Sequence, residues 1–550
     1  MTLLPVGLGS VLFLLAGYLV YARLLARRLS LDASRATPAH AREDGVDFVP
    51  AKAPLLLAQH FSAISAAGPI AGPILAGLWF GWGPALAWIL LGCVLIGAAH
   101  DFATLVASVR HRGLSVGEIL RERLGRRAMA VYLSFVWIAL VYVTIAFADM
   151  TAAAFTRPGS GGAVASSSVM YLLLALGLGV AFTRGRLGLL PAVAITMPLL
   201  AAVIWFGREI PLVLPGALAG GNPRLAWDLL LLAYCFVAAL LPMPVLMQPR
   251  GFLGGFLLYG FLGAGVIGLL LGGVAVEQPA FVSWTSPKGA PLLPFLFVTI
   301  ACGACSGFHG LVCSGTTSRQ LDRETDAPAV GYGAMLLEGL IAVISLSTVM
   351  MLAPGDPLLG EGVEAIFASG IARFTEVIGV PREFGFAFGL LALTTFIYDT
   401  LDVCTRLGRY ILQELLGLEG GRGRVVATLL TLLPAAGFLA LAEEGAYMEV
   451  WGAFGTSNQL LAALTLLGVS VWLRAEGRSF WFVLAPAVFL LGMTGWSLAL
   501  TVGGWGPGNR LMPAVSAVLL GLAGMLTIEC GRAMIPNPAR SSSGGSGSGS

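Results

Sequence analysis

The sequence predicts an all-α polytopic membrane protein with about fifteen transmembrane helices. Hydrophobic residues make up 57% of the 550-residue chain and charged residues only 11%, a composition that no soluble domain of this length needs. The apolar residues recur in runs of about 20, the length of a helix that crosses a bilayer core of about 30 Å. The runs that satisfy this rule are approximately residues 3–22, 55–78, 83–108, 129–155, 168–183, 187–206, 225–247, 252–276, 291–313, 330–353, 385–405, 424–442, 448–473, 480–502 and 510–530.

Arginines predict the orientation of these spans. Most of them follow the odd-numbered spans, beginning with Arg23 to Arg28 after span 1 and Arg110 to Arg127 after span 3, whereas the other loops are short or poor in basic residues. Because basic loops stay in the cytoplasm, we expect a multi-pass protein of the cytoplasmic membrane with its N-terminus outside and its C-terminus inside. The first apolar run lacks a basic leader, so we interpret it as a span and not as a signal peptide.

The second span is interrupted in its middle. It runs from Leu55 to Trp79 and contains the stretch GPIAGP, in which two prolines and two glycines loosen the helix and free carbonyl groups that lipid does not satisfy. Broken helices of this kind are where secondary transporters hold their substrates. The expected substrate-binding residues here are His60, Ser65, Gly68, Pro69, Gly72 and Pro73.

A second proline-rich span suggests an internal repeat. Span 7 contains Pro242, Pro244 and Pro249 and lies five spans after the broken span, so that corresponding helices of two five-helix halves would run in opposite directions. We therefore predict an inverted repeat with halves at residues 55–206 and 225–410, and we add Pro242 and Pro244 to the expected substrate site. Residues 1–54 would form an extra helix and a linker, 424–533 about four extra helices, and 541–550 a flexible linker remnant. The alternative is that prolines are simply common in membrane helices.

Span 9 concentrates polar side chains among small residues, in the sequence CGACSGFHGLVCSGTTS. Its hydroxyl oxygens suit a sodium ion and its imidazole suits a proton, although serine and threonine also form ordinary hydrogen bonds between membrane helices. We expect Ser306 and His309 to contact substrate, and Ser314 and Thr317 to take part in ion coupling.

Five further ionisable residues lie in or at the ends of apolar runs, where charge is costly and often functional. His100, Asp101 and Glu338 are candidates for ion coupling, although the first two could instead be solvated at the cytoplasmic end of their helix. Asp399 and Asp402 share one helix face and serve either proton coupling or an internal salt bridge. Arg406, one turn further on, is the candidate partner of Asp402.

Enzymatic and cofactor chemistry find no support in the sequence. There is no P-loop, no Rossmann glycine motif, no nucleophile elbow and no zinc-protease motif, so we expect neither an enzyme nor a cofactor. Cys302, Cys305 and His309 could suggest a soft-metal site. A lone C-x-x-C within an apolar helix favours packing instead, and we expect no metal. The basic loops are explained by topology, so no nucleic-acid partner is expected.

Several sequence blocks, taken together, resemble the carbon starvation protein A family of peptide or pyruvate transporters. They are RATPAHAREDGVDFVP, QHFSAISAAGPIAGPILAG, GAAHDF, SVRHRGLSVGEIL, LPMPVLMQPR, CSGFHGLVCSGTTSRQL, ETDAPAVGYGAMLLEG, TRLGRYILQELLG and FGTSNQLLAAL, between about Arg35 and Leu464. That family is in turn similar to the amino acid–polyamine–organocation superfamily, which implies a LeuT-like five-plus-five core. The chain departs from the family at Gln59, where a second histidine is common, and at His100, where many members have glutamine.

The resemblance implies uptake of short peptides or small carboxylates such as pyruvate during carbon starvation. The coupling ion would be a proton in preference to sodium, and the lipid bilayer is the only other partner expected. An alternative is a membrane nutrient sensor without appreciable transport, and a passive channel is a third possibility. The sequence sets no oligomeric state.

Overall fold

The computed structural model describes residues 1–65, 67–185, 189–215, 221–287, 289–441, 446–504 and 511–535. Within these ranges the protein is helical, and its only extended pairings are three isolated β-bridges. The expected linker remnant at residues 541–550 lies outside the described residues.

Twelve helices among the described residues are long and apolar enough to cross a membrane. They are α1 (Leu4–Leu29), α4 (Trp82–Arg110), α6 (Arg126–Thr156), α7 (Gly161–Thr183), α9 (Pro223–Leu240), α10 (Met247–Leu271), α13 (Glu324–Met350), α15 (Arg382–Leu416), α16 (Gly420–Leu441), α17 (Ala446–Ala475), α18 (Trp481–Gly503) and α19 (Leu511–Ala533). A pair bent by 46°, α2 (Ala53–Ile64) and α3 (Gly68–Phe80), makes a thirteenth when counted as one span. The count falls short of the fifteen spans that hydropathy predicts.

The two other predicted spans take different forms. The span at 187–206 corresponds to α8 (Leu189–Glu209), which is helical without being among the twelve. The span at 291–313 is not one helix, because α11 (Leu292–Thr299) and α12 (Gly307–Val312) are separated by seven residues that form turns and extended backbone. Those seven residues are mostly small and include a glycine, which lowers helix propensity. Two further helices, α5 (Val116–Leu124) and α14 (Val363–Glu376), are too short to span a membrane.

Local sequence signals set several helix ends. Ser115 caps α5 by accepting a hydrogen bond from the Gly117 amide at 3.0 Å, and Asn222 caps α9 through the Leu225 amide at 3.1 Å. Gly417 ends α15 with a φ of 65°, a left-handed conformation that glycine adopts without strain.

The arginine-rich loops gather at one end of the helix bundle, which we call the basic end. Arg110 donates to the Leu29 carbonyl, Arg123 pairs with Glu476 at 2.8 Å, and Arg28 donates to Ser479. The loops poor in arginine meet at the other end, where Gly83 donates to Ala280 and Glu277 to Met350. The loops joined by these contacts therefore lie at opposite ends of the bundle.

The polar segment between α1 and α2, residues 30–52, lies across the basic end. Asp47 accepts hydrogen bonds from Arg406, Arg409 and Tyr410 at 2.8–3.0 Å. Burial alone would raise the pKa of Asp47, but Arg409 and Arg406 outweigh that effect and hold the pKa below its usual value. Backbone hydrogen bonds from Val49 to Arg319 and from Met243 to Val46 extend the contact to two more parts of the chain.

The middle of the bundle is built from long helices. α6 and α15 pack along each other, and α17 packs against both α6 and α18. Nearly all described side chains of α17 from Phe454 to Leu473 are buried, whereas α1, α16 and α19 expose most of their apolar residues. Among the four short helices that carry the candidate site, α2 packs on α10 and α15, α3 packs on α13, and α12 packs on α17.

Candidate functional site

The first broken span opens just before its glycine and proline residues. α2 ends at Ile64, Ser65 is non-helical with φ −82° and ψ 72°, and α3 begins at Gly68. Pro69 therefore occupies the first turn of α3, where no amide donor is required, and Pro73 lies inside α3. The expectation that the opened backbone is Gly68 to Pro73 is wrong by a few residues, because prolines at a helix start favour the helix.

A second break lies between α11 and α12, and a distant side chain completes it. Ser306 precedes α12, and the Oδ1 atom of Asn458 in α17 accepts hydrogen bonds from the Phe308 amide at 2.8 Å and from the Ser306 hydroxyl at 3.2 Å. The side-chain amide of Asn458 also donates, from Nδ2, to the Cys302 sulfur at 3.3 Å. Asn458 thus satisfies backbone that lipid could not.

The two breaks pack directly against each other through small residues. A Cβ atom added to Gly68 would overlap the Cys302 side chain, and one added to Gly72 would overlap the Thr299 carbonyl oxygen. An added Cβ on Gly303 would lie 3.6 Å from the Pro69 Cα atom. The contact is closed, so a ligand enters only if the two breaks move apart. Ser65 is fully buried there, and its hydroxyl has no hydrogen-bond partner among the described residues.

Four of the predicted ionisable residues form one buried chain beside these breaks. Nδ1 of His100 lies 2.7 Å from Asp101 Oδ1, and Nδ1 of His309 lies 3.0 Å from Asp101 Oδ2. Nε2 of His309 lies 3.1 Å from Glu338 Oε2. All four side chains are 0% exposed and come from three helices, α4, α12 and α13. We call this set the carboxylate–histidine chain.

Both ring nitrogens of His309 face carboxyl oxygens. Its Nδ1 atom is within hydrogen-bond distance of Asp101, whereas its Nε2 atom lies 3.1 Å from Glu338 without hydrogen-bond geometry. An ionised carboxylate only accepts hydrogen bonds. The arrangement therefore suits a group that carries an additional proton, either on His309 as an imidazolium or on one of the two carboxyl groups beside neutral His309.

His60 forms a neighbouring contact between α2 and the end of α12. Its Nδ1 atom lies 2.8 Å from the Thr317 hydroxyl, and its Nε2 atom lies 3.8 Å from the Cys313 sulfur. Ser314 instead donates to the Gly310 carbonyl within its own helix at 2.7 Å. Thr317 and Ser314 lie in a π-helical turn, Cys313–Thr317, that follows α12, and a second π-helical turn, Cys93–Gly97, ends three residues before His100. Such turns are frequent at functional sites.

Asp399 and Asp402 belong to a separate buried cluster. Arg250 Nε lies 2.5 Å from Asp399 Oδ1, and Arg250 Nη1 pairs with Asp402. Hydroxyl groups complete it, since Ser62 donates to Asp399 and Tyr234 to Asp402, each at 2.6 Å. The expected partner Arg406 binds Asp47 instead. Arg250 falls between the predicted spans 225–247 and 252–276, but it lies buried in α10. The two uncompensated aspartates are the signal that could have indicated a buried cation.

Two expected substrate residues lie elsewhere. Pro242 and Pro244 form the turn between α9 and α10 at the basic end, where Arg406 donates to the Leu241 carbonyl. They do not open a helix, because α9 has already ended at Leu240. The structure therefore brings together His60, Ser65, Gly68, Pro69, Gly72, Pro73, Ser306 and His309 at or next to the breaks, and removes the two prolines from that set. Among the residues described, no group of three or more His, Cys, Asp or Glu side chains is arranged to hold a metal ion.

Comparison with known proteins identifies relatives over almost the whole chain. The family model described as carbon starvation protein CstA matches residues 2–359 and 358–497. The peptide transporter CstA of Campylobacter jejuni is 31% identical, with 93% of this chain and 82% of that protein covered. The peptide transporter CstA of Helicobacter pylori strain J99 is 33% identical, covering 88% and 80%. The pyruvate/proton symporter BtsT of Escherichia coli is 32% identical, covering 90% and 80%.

The chain also aligns with a solved structure, the Eremococcus coleocola manganese transporter, at 14% identity and a TM-score of 0.44 over 90% of this chain and 99% of that one. A likeness this loose carries no argument about this molecule. The matches to curated relatives, by contrast, extend over most of both chains, and these relatives are named transporters and not enzymes. This multi-pass helical membrane protein therefore belongs to the carbon starvation protein CstA family.

Proposed function

We propose that this chain is a proton-coupled secondary transporter that imports a small carboxylate such as pyruvate, or a short peptide, across the cytoplasmic membrane during carbon starvation. The observation that carries the proposal is His309, held between the buried carboxyl groups of Asp101 and Glu338 beside two broken helices. The names of the relatives support both substrate classes. The collected arginines support a cytoplasmic location for the basic end, with the N-terminus outside.

Proton coupling fits the carboxylate–histidine chain better than sodium coupling does. Removing one proton from the carboxylate–histidine chain changes the net charge of these four side chains by one unit. They lie in a low-dielectric environment, where unpaired charge is costly. Proton loss would therefore change which helices can stay together. The hydroxyls that favoured sodium are otherwise engaged, since Ser314 binds its own helix and Thr317 binds His60. A sodium site remains the second choice.

The substrate site in this proposal is the closed contact between the breaks. The first turn of α3, at Gly68 and Pro69, faces Cys302 and Gly303 across that contact, and Ser65, with its unpartnered hydroxyl, precedes this turn. Freed amides at helix starts favour anions, and a carboxylate is common to both proposed substrate classes. His60 bridges the two broken spans and would contribute a hydrogen bond to the substrate. Its own hydrogen bond to Thr317 would break when the two breaks separate.

We further propose that the breaks are corresponding points of an inverted repeat. After α2 and α3 come a spanning helix α4, a short helix α5 and the long helix α6. After α11 and α12 come a spanning helix α13, a short helix α14 and the long helix α15. This correspondence begins the second half at Leu292 and supersedes the sequence-based choice of residues 225–410.

Uptake by purified protein in proteoliposomes tests the proposed function. With an imposed pH gradient, acidic outside, labelled pyruvate or labelled alanylalanine is expected to accumulate above its external concentration, and a protonophore is expected to abolish accumulation. A sodium gradient without a pH gradient serves as the comparison. Accumulation driven by sodium alone would contradict proton coupling, and failure of both substrates under either gradient would favour the sensor.

Two glutamate variants make the test specific to the carboxylate–histidine chain. Glu338→Gln removes the titrating carboxyl group while keeping its shape, so exchange of labelled for unlabelled substrate should persist while accumulation is lost. Glu383→Gln is the matched control, because Glu383 is 84% exposed and contacts only Arg208, at 3.5 Å, among the described residues. Normal accumulation by Glu338→Gln would refute the role of His309 and its partners.

A further inference from the structure

A cavity of about 560 Å³ opens at the basic end, away from the two breaks. Its walls come from the segment between α1 and α2, the end of α4, the helix α5 and the loop after α17. Six arginines line it: Arg35, Arg110, Arg112, Arg121, Arg123 and Arg478. We call it the arginine cavity. Pockets for small ligands in proteins commonly measure about 300–1,000 Å³, so its size suits a small molecule or a lipid headgroup.

The charges of the arginine cavity do not balance within its walls. Three glutamates line it beside the six arginines, namely Glu118, Glu122 and Glu476. Glu118 pairs with Arg121, and Glu476 pairs with Arg123 at 2.8 Å. Arg35 and Arg110 share a fourth carboxylate, that of Glu324, at 2.8 and 2.7 Å. The walls therefore carry an excess of positive charge.

Arg112 is the clearest source of that excess. Its side chain has no hydrogen-bond or ion-pair partner among the described residues, although its backbone carbonyl accepts from Arg42 at 3.0 Å. Arg112 also has a positive φ of 61°, a conformation that is uncommon for arginine. The turn therefore holds an unneutralised guanidinium at the edge of the cavity.

The residue types in the arginine cavity match a phosphate-bearing ligand. All of its lining cations are arginines, whose planar donor forks fit phosphate in a bidentate manner. Trp472 adds an aromatic wall, with the Arg110 guanidinium 5.9 Å from its ring and the His111 ring edge-on at 5.6 Å. We propose that the arginine cavity binds a phosphate-bearing anion, either a free phosphorylated metabolite or the phosphate of an anionic lipid headgroup.

Titration of pyrophosphate into the purified protein tests this proposal. The full-length protein in nanodiscs of phosphatidylcholine, a lipid without net charge, is titrated by calorimetry at low ionic strength. We expect saturable binding that weakens as salt is added, because the attraction is between charges. Arg112→Asn should weaken it at least about tenfold, which is the loss of one charge-assisted hydrogen bond, and Arg112→Asp should weaken it further.

Asparagine and aspartate both tolerate the positive φ at this position, and no native ion pair of the described residues is broken by either change. Arg532→Asn and Arg532→Asp are the matched controls, since Arg532 is exposed at the basic end outside the cavity. Equal affinities for wild-type protein and both Arg112 variants would overturn the proposal.

A second experiment distinguishes a lipid headgroup from a free metabolite as the source of the phosphate. In nanodiscs that contain phosphatidylglycerol, a lipid occupant would compete with pyrophosphate in wild-type protein and much less in Arg112→Asp. Unchanged pyrophosphate affinity in both lipids would favour a free metabolite. Absence of saturable pyrophosphate binding in phosphatidylcholine, together with no difference in phosphatidylglycerol retention between wild type and Arg112→Asp, would exclude both sources.

Discussion

Replacing Arg250 with glutamine should destabilise the protein more than replacing either aspartate that it pairs with. Arg250 is 2% exposed and is shared by Asp399 and Asp402, which lie three residues apart on one face of α15. Without the guanidinium, two carboxylates remain buried, and their side-chain donors among the described residues are the hydroxyls of Ser62 and Tyr234 and the thiol of Cys235. Removal of one member of a buried ion pair typically costs about 3–5 kcal/mol.

Asp399→Asn should be milder because it leaves Arg250 paired with Asp402 and balances the charge of the cluster. The expected cost is that of one hydrogen bond to a charged group, about 1.5–3 kcal/mol. Thermal unfolding in detergent should therefore give the order wild type, Asp399→Asn, Arg250→Gln, from most to least stable. Arg382→Gln, at the exposed start of α15, is the control and should unfold with the wild type.

A charge-free version of the cluster separates electrostatics from packing. Combining Arg250→Gln with Asp399→Asn and Asp402→Asn removes all three charges, so the triple variant should be more stable than Arg250→Gln alone. The reasoning fails if the triple variant unfolds at or below the temperature of the single arginine variant. It also fails if Arg250→Gln and Asp399→Asn are equally stable.

Three further changes probe the breaks and the basic end. Asn458→Ala leaves the Phe308 amide without its acceptor and should cost about 1–3 kcal/mol, whereas Asn458→Asp keeps the acceptor oxygen and should recover part of that loss in thermal unfolding. Gly72→Ala places a methyl group against the Thr299 carbonyl and should reduce both stability and uptake, since backbone must shift to admit it. Asp47→Asn should be destabilising at neutral pH, and its difference from wild type should shrink as the pH falls below about 4, because a carboxyl group with a lowered folded-state pKa loses its contribution on protonation. A difference that stays constant down to acidic pH would contradict the role of the two buried arginines.

The sequence indicates which ionisable residues lie in apolar segments, but it does not indicate which of them meet. His100, Asp101, His309 and Glu338 each stand out as ionisable groups in apolar runs. The first two lie more than 200 residues from the last two, and only tertiary structure joins them. Sequence spacing also gave the wrong ion-pair partner for Asp402. Arg406, one helical turn away, is a plausible partner, but Arg250 from another helix pairs with Asp402 in the structure.

The prolines and glycines predicted the position of one broken helix correctly and of another incorrectly. At the first break they indicated the right span, since an opened backbone and a helix start both favour them. At the end of α9 the same composition forms an ordinary turn. The second break contains no proline at all and depends on Asn458, more than 150 residues away, to satisfy its backbone. Composition within one span does not report such a distant partner.

The distribution of buried charge also limits which helices can separate during transport. α12 is tied to α4 and α13 by the contacts of His309 with two carboxyl groups, all of them fully buried. It is tied to α2 by the neutral hydrogen bond between His60 and Thr317. Separating buried charges costs several kcal/mol for each ion, whereas a neutral hydrogen bond contributes about 1 kcal/mol. Opening should therefore proceed between α2–α3 and α11–α12, while α4, α12 and α13 move as one body.

The reactivity of two natural cysteines distinguishes opening between the two breaks from separation of α4 and α13. Cys302 lies in the contact between the breaks, against Gly68, whereas Cys93 lies between α4 and α13 and donates to the Met335 carbonyl at 3.2 Å. His60→Ala should speed alkylation of Cys302 by N-ethylmaleimide several-fold and leave Cys93 unchanged, as measured by mass spectrometry of the two peptides. Thr494→Ala, which removes a buried hydroxyl bonded within α18, should change neither rate. If Cys93 is the residue whose alkylation accelerates, α4 and α13 separate first, and the contacts of His309 with Asp101 and Glu338 do not hold the moving body together.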